Sequence, residues 1–212
     1  MSFKAKHIVQ ILGLCLILLA CAPCALAKAD SEAKIALENC IGKVLNELKK
    51  PEMKNPATRE RVLAQIEKIV KDLFNFPELS MRAVGPKWRS FTPEQQKNFL
   101  DAFDDLLRAR YLDKLEGYSG EKVAYIGETA STKGDKVEIR TEVAVGDKIV
   151  PVAYRMLKNG RWTVYDIIIE GVSMVQNYRS QFQAVLDKGD ADELIRLVRQ
   201  KVEEARQQKG KG

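Results

Sequence analysis

The chain has 212 residues, 35 Lys and Arg against 29 Asp and Glu, and a formal charge of +6. That length suits one domain with a substantial core, and bases interleaved with acids exclude the clustered basic footprint of a nucleic-acid binder. The one histidine, His7, stands in the first ten residues, so the rest of the chain has no Ser-His or Cys-His pair for nucleophilic catalysis and too few Cys or His residues for a zinc site.

Lys4 and Lys6 precede an apolar run from Ile8 to Ala20, and small residues follow to Ala25-Leu26-Ala27. This is the pattern of a secretory signal peptide, residues 1–27, and the run is shorter than the roughly 20 residues that span a bilayer. Leu18-Leu19-Ala20-Cys21 also has the form of a lipoprotein signal, which would leave an acylated Cys21 at the new N-terminus. The Ala-Leu-Ala site is preferred. Cleavage there lowers the formal charge by two and removes Cys15, Cys21 and Cys24, leaving Cys40 with no partner for an internal disulfide. Cys40 reads as a small buried apolar group on a helix.

Residues 31–50 carry a helical stripe of Leu37, Ile41, Val44, Leu45 and Leu48 that stops before Pro51. A second helix from about Ala57 presents Val62, Ile66, Ile69, Val70 and Leu73, and Asn75-Phe76-Pro77 breaks it. A short helix from about Pro77 carries Leu79 and Val84 up to Gly85-Pro86. Thr92, Pro93 and Gln95 then form a strong start signal, with a capping hydroxyl, a proline at the first helical position and a capping-box glutamine. Leu100, Phe103, Leu107, Tyr111 and Leu115 extend that helix to about Glu116.

The period then becomes two. A strand at Lys122 to Glu128 is followed by Lys136 to Val145, where Val137, Ile139, Thr141, Val143 and Val145 alternate with charged residues. Gly146-Asp147 turns into Ile149 to Lys158, and Asn159-Gly160 is a hairpin signal leading to Arg161 to Glu170. The helical period returns with Val172, Val175, Tyr178, Phe182 and Val185, and a last helix, Asp190 to about Arg206, carries Leu194, Leu197, Val198 and Val202. Residues 207–212 read as a disordered tail. The expected fold is α+β: a twisted four-stranded antiparallel meander wrapped by N- and C-terminal helices.

Both faces of the last two strands are apolar, so more is covered than one helical layer accounts for. Tyr165, Ile167 and Ile169 form one parity and Trp162, Val164 and Ile168 the other. Asp166 and Glu170 interrupt the second set and read as ion-pair partners of arginines such as Arg140 or Arg155. Asp104-Asp105 and Glu203-Glu204 read as solvated helix faces. No catalytic residue, metal site or cofactor is expected.

The run Gly160-Arg161-Trp162-Thr163-Val164-Tyr165-Asp166-Ile167-Ile168-Ile169-Glu170-Gly171-Val172-Ser173-Met174-Val175, continued by Asn177-Tyr178-Arg179-Ser180-Gln181-Phe182, resembles the signature of the MlaC family, the toluene-tolerance auxiliary proteins. Phe74-Asn75-Phe76-Pro77, Trp88, Phe91-Thr92-Pro93-Glu94-Gln95, Tyr118-Ser119-Gly120-Glu121 and Val150-Pro151-Val152-Ala153-Tyr154-Arg155 are similar to further family blocks in the same order. The resemblance implies a phospholipid-binding domain over residues 28–206, a monomer in the periplasm. Its cargo would be a phospholipid, passed between an outer-membrane lipoprotein complex and an inner-membrane ABC transporter with its substrate-binding subunit. By position, Val172, Val150, Val152, Tyr154, Phe103, Leu107 and Tyr111 would line the pocket. The apolar faces add Val84, Ile139, Val143, Tyr165, Ile167, Ile169 and Val175 as candidates. The competing reading is a secreted α+β protein-interaction module with a filled core and no lipid.

Overall fold

Ser31 opens the first helix of the computed structural model, which describes residues 31–112, 115, 118 and 120–209. The expected signal peptide lies outside the described residues. The Ser31 hydroxyl accepts from the Lys34 backbone N–H and starts α1, Glu32–Leu48. After a 3₁₀ turn at Pro51–Lys54, Asn55 caps α2, Pro56–Leu73. Asn75 caps α3, Phe76–Val84, and a second 3₁₀ turn, Gly85–Ser90, follows.

Thr92 begins α4, Pro93–Leu107, with a complete capping box. The Gln95 N–H donates to Thr92 Oγ1 at 3.2 Å and the Thr92 N–H to Gln95 Oε1 at 3.0 Å. Two otherwise orphaned donors are satisfied together. Thr92→Ala is therefore expected to lower stability by about 1 kcal/mol, read as a shifted midpoint in chemical denaturation. The helix expected to reach Glu116 changes character at Arg108, where residues Arg108–Leu112 form a π turn. Phe103 and Leu107 lie before that point and Tyr111 within the π turn, where the backbone widens.

Five strands form one antiparallel sheet in sequential order: β1 Lys122–Ala130, β2 Lys136–Val145, β3 Lys148–Asn159, β4 Arg161–Ile169 and β5 Val172–Ser173. The expected four-strand count was short by β5. Val172 pairs with Ile169 across a two-residue turn in which Glu170 and Gly171 both have positive φ, 50° and 82°. Both central residues of a type I′ hairpin turn need that conformation. The helical stripe read from Val172 onward therefore starts two residues later, at Met174. The Ser173 hydroxyl accepts from Gln176 N and caps α5, Met174–Leu186. The last helix, α6, Ala191–Lys209, continues past Gln207, where the tail was expected to begin, and residues 210–212 lie outside the described residues.

Two bulges change which side chains share a face. In β1 the register shifts between Tyr125 and Gly127, and in the β3–β4 pair Arg155 opposes Asp166 while Met156 opposes Val164, leaving Tyr165 as the extra residue. An extra residue switches the alternation of everything beyond it. Val164 consequently shares the inner face with Ile167, while Tyr165 lies under the Arg82 guanidinium, 4.3 Å from its ring centre, in a shallow depression with Glu138 and Arg155. This corrects the grouping of Tyr165 with Ile167 and Ile169, and that of Val164 with Asp166.

The interior is three clusters instead of one. Helices α3, α4, α5 and α6 pack around Phe99, Phe103, Tyr178 and Phe182, whose rings meet edge-to-face or tilted at 4.8–5.5 Å. Leu37 and Cys40 of α1 pack with Ile139, Met156 and Val164 of the sheet. The third joins Leu48, Met53 and Ile66 of α1, the 3₁₀ turn and α2. Backbone donation from Asn75 N to the Val164 carbonyl, 2.8 Å, ties the α2–α3 junction to β4. Among the described residues no helix is long and apolar enough to cross a membrane.

Candidate functional site

Where the three clusters meet they do not close. A cavity of about 620 Å³ runs between the inner face of the sheet and helices α1, α2 and α4, within the range of roughly 300–1,000 Å³ typical of small-molecule pockets. Its walls draw on each cluster: Leu37 and Tyr154, Leu79 and Leu107, Leu48 and Val70. Core packing elsewhere leaves few voids larger than a water molecule, so an apolar space of this size is a built feature.

Of the candidate residues, the structure brings Leu107, Tyr111, Val143, Tyr154, Ile167 and Ile169 together on this wall. Val84, Phe103 and Val175 are instead buried in the helical cluster, and Ile139 in the cluster beneath the sheet. Helical periodicity marks a buried face without saying whether protein or ligand covers it. Val150 and Val152 lie on the inner face opposite Val143 and Thr141 but outside the lining. Tyr165 is turned away by the bulge. Val172 is 61% exposed on the short edge strand; the turn carries it out of the interior.

Sequence reading gave the apolar stripes of α1 and α2 without naming them as candidates for the wall. Ile41, Val44 and Leu45 on α1 and Val70 on α2 line the cavity, yet are only half-buried. Their spacing carries no signal of a void: Leu37, Ile41, Val44, Leu45 and Leu48 form the ordinary apolar stripe of a packed helix.

Apart from Glu121, the charged groups of the lining are confined to one seam, where α2 faces α4 and the π turn that follows it. Lys71 Nζ lies 2.7 Å from Asp104 Oδ2 and 2.8 Å from Glu67 Oε1, and Arg108 lies 3.0 Å from Glu67 Oε2. Partial burial pulls the Lys71 pKa down, but hydrogen bonds to Asp104 and Glu67 outweigh it, so the ammonium is held above its ordinary value. Both cations are thus already matched by carboxylates.

Deeper in, burial pushes the Tyr154 hydroxyl up to about 12 and the Cys40 thiol up to about 11. Lys43 pulls Cys40 weakly the other way and Asp72 adds to the rise. A thiol two units above its ordinary value has roughly a hundredfold less thiolate at a given pH. Cys40 should therefore resist iodoacetamide at pH 8 in the folded protein and react at the rate of a free thiol once denatured, as intact-mass spectrometry over time would show. Among the described residues no cluster of three or more His, Cys, Asp or Glu could hold a metal ion.

Asp166 is buried but does not face the cavity. Its carboxylate accepts from Ser173 Oγ at 2.7 Å, the Val175 backbone N–H at 3.0 Å and Arg155 at 3.3 Å, the expected ion pairing with Arg155 among them. It anchors the start of α5 to β4.

A deep apolar cavity whose charged groups, Glu121 apart, are paired along one seam has the character of a holder of hydrocarbon ligands. The chain belongs to the MlaC family, whose description, MlaC protein, matches residues 38–200. It is 21% identical over 179 residues to the intermembrane phospholipid transport system binding protein MlaC of Haemophilus influenzae, covering 82% of this chain and 84% of that protein. A solved structure of the phospholipid-binding protein from Ralstonia solanacearum, in complex with a phospholipid, superposes with a TM-score of 0.76 and 26% identity. It covers 82% of this chain and 99% of that one.

Proposed function

We propose that this protein is a periplasmic phospholipid carrier, holding acyl tails in the cavity and passing lipid between the outer membrane and an inner-membrane ABC transporter. The observation that carries the reading is the unfilled apolar cavity in a fold shared with a protein solved with phospholipid bound. Two tails of about 15 methylenes, at about 0.8 kcal/mol each, represent roughly 24 kcal/mol against free passage through water. A cavity that reproduces the bilayer interior cancels most of that cost, so exchange with a membrane stays reversible.

The pairing of Lys71 and Arg108 with carboxylates leaves little free positive charge to seize a phosphate, which favours tolerance toward headgroups. Residues 1–27 act as the export signal in this reading, the carrier works as a monomer, and the outer-membrane partner is a lipoprotein complex. Binding is non-covalent and no chemistry is performed on the cargo. Organic extraction and mass spectrometry of the purified protein should return phospholipid at close to one per chain. Folded preparations that stay lipid-free after incubation with vesicles would overturn the reading.

A further inference from the structure

The cavity has a closed end and an open end. Leu37 is 1% exposed and Cys40 and Tyr154 sit beside it, whereas Tyr111, Ile169 and Val145 are 38%, 39% and 44% exposed. Val145 ends β2, and β1 starts opposite it, Lys122 pairing with Ala144. Tyr118 and Glu121, on the segment entering β1, line the cavity at this open end. A lipid with its tails at the closed end would place its glycerol linkages here.

Two hydroxyls among the described residues are shielded from solvent with no hydrogen-bond partner, those of Tyr118 and Tyr178. Tyr178 belongs to the packed helical cluster and does not reach the cavity wall. Tyr118 does. A shielded donor left unmatched costs free energy that an acceptor on the ligand recovers, and no carboxylate of the seam accepts from it.

We infer that the Tyr118 hydroxyl donates to an acyl-ester carbonyl of the bound phospholipid, so that the carrier reads the ester linkage and not the headgroup. This rests on the carrier reading and specifies its ligand. Shielding from water, and then the Glu121 carboxylate, hold the Tyr118 hydroxyl above the ordinary tyrosine value, so it remains a donor across the physiological range. The same carboxylate repels a phosphate oxygen and tolerates a neutral carbonyl, which selects between the two acceptors a phospholipid offers. Donation to a neutral carbonyl also needs no free cation, and Lys71 and Arg108 on the lining are already paired with carboxylates.

The test compares wild type with Tyr118→Phe, each loaded from vesicles of a diacyl phosphatidylcholine or of its dialkyl ether counterpart with identical chains. Wild type should retain the diester about tenfold better than the diether, and Y118F should retain both at the diether level. Thermal melts separate this from a structural role: lipid-free Y118F should melt no lower than wild type, because it loses only an unmatched hydroxyl, while its gain on loading diester should shrink. Equal retention of diester and diether by wild type would overturn the ester contact. So would a Y118F protein that keeps the full preference. Loss of both lipids to the same degree in Y118F would assign the acceptor to the phosphate and also overturn it. Failure of wild type to load either lipid would instead sink the carrier reading beneath.

Discussion

Val143→Glu should empty the protein of lipid while leaving it folded. Val143 stands on β2 between Val123 of β1 and Val150 of β3, and its side chain forms part of the cavity wall. In the lipid-free protein the new carboxylate faces a space that water can enter, and Val143 is only half-buried, so the fold tolerates it. Against acyl chains the same carboxylate loses its water, and Lys71 and Arg108 of the lining are already paired with carboxylates, so the effective cost is several kcal/mol. Retention should fall by more than about a hundredfold, since every ~1.4 kcal/mol is a factor of ten. Lowering the pH toward about 5 should return part of it, because a carboxyl forced into hydrocarbon has a raised pKa and the neutral acid is the form that lipid tolerates.

Val172→Glu is the matched control. Its side chain is on the edge strand and largely in water, so lipid content should stay within about twofold of wild type. Extraction and mass spectrometry on both variants, with circular dichroism to confirm folding, reads the pair. Lipid retained in V143E, or lost in V172E but not V143E, would mean that the cargo occupies a different space.

That contrast also marks how far the sequence could be read. Thr92-Pro93-Glu94-Gln95 and Asn159-Gly160 are local instructions, and the helix cap and hairpin they specify are both present. The family blocks point to the lipid class because they are carried by particular residues. The lining was less legible for two physical reasons. A residue such as Phe103 that packs on other rings and one such as Val70 that faces a void have the same helical spacing, and only the packing of distant elements separates them. In the sheet, assignment by alternation fails past a bulge: the extra residue at Tyr165 reverses the parity on which Tyr165, Ile167 and Ile169 were grouped. Val172 looked like the first turn of a helix because a two-residue hairpin strand is too short to show a period of its own.

Asp166→Ala should cost more stability than the loss of either side chain that donates to its carboxylate. The carboxylate collects three donors from three places: the hydroxyl of Ser173, the backbone N–H of Val175 in the first turn of α5, and the Arg155 guanidinium from β3. Arg155 keeps Glu138 as a partner at 3.0 Å and its side chain is partly exposed, so its share is small. The Val175 N–H is the costly one. It is buried, belongs to a helix start whose first donors have no partner within the helix, and cannot turn to water when the carboxylate goes. An unmatched buried donor, a lost charge-assisted bond and a lost anion at a helix N-terminus together come to about 3 kcal/mol. For a chain of this size that is a fall of roughly 10 °C in melting temperature. Arg155→Met should cost less than about 1 kcal/mol, and Ser173→Ala, which removes the α5 cap, about 1 kcal/mol. Urea denaturation of the three variants ranks them. If D166A were as stable as wild type, or R155M cost more than D166A, the carboxylate would not be the anchor. Because Ile167, the next residue, is on the cavity wall, D166A should also bind lipid more weakly even at temperatures where it remains folded, since the strand that positions Ile167 and Ile169 has lost its tie to α5.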